Sequence, residues 1–282
     1  MTDIIDFVED ANPKNEFVAE IRKKIIDKDD EWYFSDQEHL TNSMMSELKK
    51  SPLHLQRYLQ KLEQPQKAYN TFGSAFHCSI LEPKQFKKRF FVLDDYSVCA
   101  EIGGAKPRST KKYKEWKEEF IKEHQKKEEL SSDDYEHIMR MKERVMGIPE
   151  TRSLIELTQK EIIFADTQQG VKRKCKVDGI KMGDFLLDLK STKDPVSQFP
   201  SSVFRYDYDR QAAWYSDICE TPNVIFIAVE KTAPYTVGLF YVSEQALENG
   251  RAKYESWMLE YKRLFIEKAI PDLSKYLFRS QI

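Results

Sequence analysis

Between residues 161 and 190 three strand-like runs follow one another with little between them: EIIFAD (161–166), VKRKCKVD (171–178) and FLLDLK (185–190). Short runs rich in β-branched and aromatic residues, bounded by turn residues, favour extended pairing. TQQG joins the first two, and Gly170 supplies the positive φ that a tight turn requires. The pattern predicts a hairpin followed by a third strand. VIFIAVEK (224–231) and YTVGLFYV (235–242) predict two more strands. Between them and the third, past Pro195 and Pro200, the spacing predicts a helix at about 207–219.

The first 160 residues have a different texture. Helical periodicity is expected at about 42–60, 69–82, 110–130 and 132–146, with Pro52, Pro65, Pro83, GGAKP (103–107) and GIPE (147–150) marking boundaries. A charged helix is expected at about 244–268. Strands set among helices predict an α/β fold, a mixed central sheet flanked by helices with a helical N-terminal part. The organisation expected is an acidic N-terminal appendage at 1–40 and one domain at 41–282. That domain comprises a helical part at 41–160, a sheet core at 161–242 and a C-terminal helix at 243–282.

The 282 residues are 40% apolar and 33% charged, which excludes collagen-like and plainly disordered chains. The longest strongly apolar run, VIFIAV, is far too short to span a bilayer, so no membrane association is expected. MTDIIDFVEDANPKNE has neither a basic leader nor a signal-length apolar run, and a cytoplasmic location is expected. Cys78, Cys99, Cys175 and Cys219 form no CxxC pair, so free thiols are expected rather than a zinc or iron–sulfur site.

Formal charge is −2, but it is unevenly placed. Residues 1–40 hold twelve acidic and five basic side chains, a net −7 that leaves +5 on the rest. Residues 106–127 and KQFKKRF (84–90) are rich in Lys and Arg and suited to phosphate contacts. A solvated helix face with Lys–Glu pairs is the competing reading.

CKVDGIKMGDFLLDLKST (175–192) carries the most chemistry. Asp188 and Lys190 stand two apart on a strand and therefore share a face. A short connection brings Asp178 alongside. Two such carboxylates suit a hard divalent cation, and an ammonium beside it can orient or deprotonate a water for phosphodiester attack. A strand-end Asp–Lys pair without catalytic consequence is the plainer alternative for a lone DxK.

Four segments in order, GSAFHCSILEP (73–83), the hairpin ending in KVDG (176–179), LDLKSTKDPVSQF (187–199) and FRYDYDRQAAWYSD (204–217), resemble the PD-(D/E)XK nuclease superfamily. The nearest likeness is to the RecE (exodeoxyribonuclease VIII) exonucleases, with the RecB nuclease domain and lambda exonuclease more distant. It runs from about residue 40, where LTNSMMSELKKSPLHLQRYL resembles the family's opening helix, to about residue 242. The resemblance implies that Asp178 and Asp188 bind the metal, with the Leu189 carbonyl and Glu161 as further ligands. Lys190 would position the nucleophile, and His77 would lie near the metal and join its ligands. Gln211 and Tyr215 match a QxxxY motif expected to border the active site, bind DNA or brace the lysine. Asp at 188, where many members have Glu, fits the RecE branch. From the residues alone, Gly73 and His77 fall on one helix face, so the small residue is expected to let that face approach the sheet closely.

The function implied is an exodeoxyribonuclease using Mg²⁺, with Mn²⁺ substituting, that degrades linear double-stranded DNA 5′ to 3′ and leaves 3′ overhangs. The partners implied are a single-strand annealing protein and further copies of the chain in a ring, a trimer or tetramer. An endonuclease or single-strand nuclease, and a catalytically silent DNA-binding or assembly module, are the alternatives.

Overall fold

The structure is a computed structural model that describes residues 13–60, 68–93, 95–270 and 272–277. The helical half comprises α1 (Pro13–Lys23), α2 (Asp30–Ser35), α3 (Asn42–Lys50), α4 (Pro52–Leu59), α5 (Ala68–Leu81) and α6 (Pro83–Arg89). It continues through β1 (Phe90–Val92), α7 (Tyr96–Ile102), α8 (Lys111–Glu123), β2 (Glu128–Leu130), α9 (Ser132–Gly147) and α10 (Pro149–Glu156). The segment expected as one helix over 42–60 is divided. Ser51 caps the His54 amide and Pro52, with no N–H to give, opens α4. The helix expected to reach 130 ends at Glu123, and β2 then pairs in parallel with β1, Phe90 opposite Glu128. Pro65 lies outside the described residues.

The second half builds a five-stranded sheet in chain order: β3 (Gln159–Gln168), β4 (Val171–Lys181), β5 (Phe185–Thr192), β6 (Asn223–Glu230) and β7 (Val237–Tyr241). All neighbours are antiparallel except β5 and β6. Gly170, at φ 79°, turns β3 into β4 as expected. A parallel pair needs a crossover, here supplied by α11 (Phe199–Arg205) and α12 (Tyr208–Ile218). That crossover lays α12 beside the end of β5. After β7 comes α13 (Glu244–Tyr261), followed by one π-helical turn at Lys262–Ile266.

Two apolar layers hold the sheet. One gathers Met45, Leu48, Phe164, Trp214, Phe226 and Tyr254; the other packs α5 and α9, through Phe76, Ile138 and Met141, against Leu187, Leu189 and Ile227. Gly73 does not do what was expected of it. A Cβ placed there would meet nothing within 4 Å, so α5 does not need the glycine to approach the sheet. The close approach lies at Gly250 of α13, where a Cβ would fall 2.1 Å from the Asp209 carbonyl of α12.

Residues 1–12 of the expected appendage lie outside the described residues, and residues 13–40 are joined to the sheet. Ile21 and Leu40 are fully buried, and Leu40 bridges to Arg173 on β4. The acidic side chains meet a lysine at every second position of β4. Glu38 pairs with Lys172 at 2.7 Å, Asp36 with Lys174 at 2.8 Å and Asp30 with Lys176 at 2.5 Å. Cys78, Cys175 and Cys219 are buried free thiols, and Cys99 is a half-buried one. No helix of the described residues is long and apolar enough to cross a membrane.

Candidate active site

The β4–β5 ladder runs from Lys181↔Phe185 to Gly179↔Leu187 and stops. Continued by one residue, the same register would set Asp178 opposite Asp188. At that point a side chain replaces the ladder: the Leu189 amide donates to Asp178 Oδ2 at 2.8 Å. The strands part there, and a strand residue's C=O faces the same edge as its N–H, so the Leu189 carbonyl lies on the edge beside Asp178. On the other flank, Lys160↔Gly179 and Ile162↔Val177 place Glu161 across from Asp178. Glu161 has a left-handed backbone, φ 57°, which a non-glycine residue in a strand adopts only under strain. Glu161, Asp178 and Asp188 thus occupy one row across three adjacent strands.

Cations are interleaved with this row. Lys190 donates to Asp188 Oδ1 at 2.6 Å and to Gln211 Oε1 at 3.2 Å, and Gln211 Nε2 donates to Asp188 Oδ2 at 2.9 Å. The shared face expected for Asp188 and Lys190 is present. His77, from α5, sets Nδ1 3.2 Å from Asp178 Oδ2, and Lys176 sits 2.5 Å from Glu161. Tyr215, one turn beyond Gln211, packs against the first apolar layer and makes no hydrogen bond to Lys190 among the described residues.

Burial dominates the electrostatics. It pushes Asp188 up to about 6, with Lys190 opposing and Asp178 adding to the rise. Burial and the Asp178 charge carry Glu161 up to about 7, against the pull of Lys176. For Asp178 burial also raises, but His77, Lys190 and the Leu189 amide prevail and hold it below its ordinary value. Burial lowers His77 and Lys190, while the carboxylates outweigh it and leave both raised. Lys190 is accordingly an ammonium at neutral pH.

The donor set tests whether a divalent cation fits. Among the described residues, no three His, Cys, Asp or Glu side chains converge into a ready-made metal cage. Mg²⁺ does not need one, because it is bound through one or two carboxylates and completes its shell with water and substrate phosphate. Asp178 and Asp188, with the Leu189 carbonyl at the same edge, are such a set, and the Asp178 charge adds to the rise that burial imposes on Asp188. The residues fit the ion.

Sequence reasoning missed Lys176 and Tyr208. Lys176 belongs to an alternation of lysines along β4, Lys172, Lys174 and Lys176, each of which meets an acid of residues 30–38 in the folded chain. Tyr208 places its ring 4.8 Å from Lys190 Nζ, a cation–π contact that nothing short of the folded α12 reveals.

Fold and site together define a PD-(D/E)XK-like domain: a mixed sheet with two acids and a lysine where its central strands part. The chain belongs to the family described as a PDDEXK-like domain of unknown function (DUF3799), which it matches over residues 41–276. The crystal structure of a provisionally named exonuclease from Eubacterium rectale superposes with a TM-score of 0.62 at 16% identity, over 91% of this chain and 96% of that one. Similarity at that identity shows the shared fold. An alkaline exonuclease from Laribacter hongkongensis matches at a TM-score of 0.28 and 12% identity, over 67% of this chain and 98% of that one. No curated protein sequence matches the chain.

Proposed function

We propose that the protein is a Mg²⁺-dependent deoxyribonuclease that degrades linear double-stranded DNA from its ends, 5′ to 3′, leaving 3′ overhangs for a single-strand annealing protein. The observation that carries this is the parted β4–β5 edge, with Asp178 and Asp188 side by side and Lys190 fixed between Asp188 and Gln211. Asp178, Asp188 and the Leu189 carbonyl would hold the ion, with Glu161 at the end of the row; Mn²⁺ would serve in its place. Bound there, a divalent cation supplies Lewis-acid polarisation of the scissile phosphate and lowers the pKa of a water.

The chain's own residues do the rest. Lys190, an ammonium bridged to Gln211, orients the attacking water and offsets the charge that grows on the phosphate. His77 holds Asp178 in place from α5. Tyr215 braces the helix face that presents Gln211. The polarity and the annealing partner rest on the RecE resemblance alone.

The test is digestion of matched linear and covalently closed circular duplex, with Mg²⁺ and with EDTA. Linear DNA is expected to be lost from its ends only with the metal, and circles are expected to survive. Asp188→Asn should lower the single-turnover rate by roughly three orders of magnitude, equivalent to about 4 kcal/mol of transition-state stabilisation. Lys190→Ala should slow cleavage far more than it weakens DNA binding. Rapid nicking of closed circles would replace this reading with an endonuclease. Full activity in Asp188→Asn would remove the site.

A further inference from the structure

Beyond Lys190, β5 continues through Ser191 and Thr192 into a cleft of about 480 Å³ lined by Ser191, Lys193, Ser202, Tyr206, Tyr208 and Lys231 among others. The Thr192 hydroxyl donates to the Asp194 carbonyl, but four other donors are uncommitted. Among the described residues neither Lys193 nor Lys231 has an ion pair, and the hydroxyls of Ser191 and Ser202 make no hydrogen bond. The Lys231 ammonium stands over the Phe72 ring at 5.0 Å, and burial and the nearby charge of Lys193 lower its pKa against the pull of Asp134. Two lysines that repel each other across a cleft, with two free hydroxyls beside them, form a site for an anion. Of the neighbouring carboxylates, Glu230 is turned away, accepting from the Val196 and Thr236 amides, and Asp194 stays in the lining.

Aromatic surface lies alongside. Tyr206 is 56% exposed, and its ring is 5.8 Å from that of Tyr208, the ring beneath Lys190. The path from the catalytic ammonium to solvent is therefore paved by two tyrosines. Lys193 follows the last residue of β5, and three residues of chain reach at most about 10 Å, so it lies close to Lys190 without being part of the catalytic row. An exposed ring of this kind takes the face of an unstacked base, which a strand offers only where it has left the duplex or ends.

We propose that this cleft is a single-strand subsite, in which Lys193 and Lys231 hold a phosphodiester next to the scissile one and Tyr206 stacks its base. This deepens the nuclease reading and rests on it for the word scissile. Neither lysine is part of the metal site, and the substrate class is single-stranded nucleic acid at a duplex end.

The experiment measures anisotropy of a labelled short oligothymidylate with the full chain in EDTA, at several salt concentrations, beside cleavage of linear duplex in Mg²⁺. Lys193→Ala and Lys231→Gln should each weaken binding by about 5- to 10-fold and reduce the salt slope by about 0.7, the value for one phosphate on a single strand. Tyr206→Ala should weaken binding by roughly 5- to 100-fold with the slope unchanged, and Tyr206→Phe should restore it. Unchanged affinity and slope in both lysine variants, or no oligothymidylate binding by the wild-type chain, overturns the subsite. A wild-type chain that binds in this pattern but cleaves nothing overturns the nuclease reading and leaves the strand-binding cleft. A wild-type chain that cleaves, with lysine variants that bind and cleave as it does, leaves the nuclease and removes the cleft.

Discussion

Lys174 shows how one residue in this chain depends on its neighbours. It is 1% exposed, yet it holds its charge by donating to Asp36 Oδ2 at 2.8 Å and to the carbonyls of Tyr33 and Asp36, beneath the rings of Trp32 and Tyr33. Burial lowers Lys174 more than these partners raise it, so the pair is costly to bury and more costly to break. Asp36→Ala should destabilise the protein by about 3–5 kcal/mol, read from urea unfolding, and the double variant with Lys174→Met should recover most of that loss. The pH dependence has a definite sign. Burial pushes Asp36 up, but Lys174 and His39 bring it below the usual carboxylate value. A depressed folded pKa adds stability above the unfolded value, and this is lost as pH falls through the folded one. Acid unfolding curves should lose that contribution below about pH 4 in the wild type, and Asp36→Asn should show none of it.

At the scale of elements, two glycines that look alike in the sequence behave in opposite ways. Gly73 lies inside α5 with open space where a Cβ would go, so Gly73→Ala should stabilise by about 0.5–1 kcal/mol through helix propensity. Gly250 touches the backbone of Asp209, and Gly250→Ala should force α12 and α13 apart at a cost of about 1–3 kcal/mol or more. Because α12 carries Gln211, the Gly250 variant should also slow cleavage. Thermal melts read the first effect, and melts with single-turnover rates read the second. The start of α12 is held from several sides. Arg210, 1% exposed, donates to Asn42 Oδ1 at 2.9 Å and Ser46 Oγ at 2.6 Å on α3, while Lys253 of α13 meets Asp207 and Asp209.

For the whole molecule, phosphate contacts alone make a poor hold on DNA, because their affinity falls by orders of magnitude as salt rises. An enzyme that works along one duplex gains from enclosing it. A closed cyclic homo-oligomer, trimer or tetramer, is proposed on this ground and on the resemblance to ring-forming relatives, with the basic 106–127 segment facing the DNA path. Light scattering should give a mass of three or four chains; a strict monomer that degrades long linear DNA processively would remove the ring. The family match begins at residue 41, yet residues 13–40 are paired with β4 through Lys172, Lys174 and Lys176. Deleting residues 1–40 should therefore lower the melting temperature rather than trim a loose arm.

The sequence by itself determined the order of the five sheet strands and of the main helices, though not the shorter helices such as α2, α7 and α10, because apolar periodicity is a local property of a few consecutive residues and needs several turns to show. EIIFAD, VKRKCKVD and FLLDLK could be read as strands on that basis, and Asp188 and Lys190 could be placed on one face. The three-residue strands β1 and β2 are too short to show any period. The break at Ser51 needed a cap as well as a proline to become a boundary. Tertiary structure alone decided that Glu161, Asp178 and Asp188 stand in one row, since register is settled by pairing between strands. It alone matched the N-terminal acids to alternate lysines of β4, contacts that span more than 100 positions of chain. The burial that drives Asp188 up, and the carboxylates of Asp188 and Asp178 that keep Lys190 charged against it, belong to the packed molecule, where desolvation acts on groups that the linear chain leaves in water.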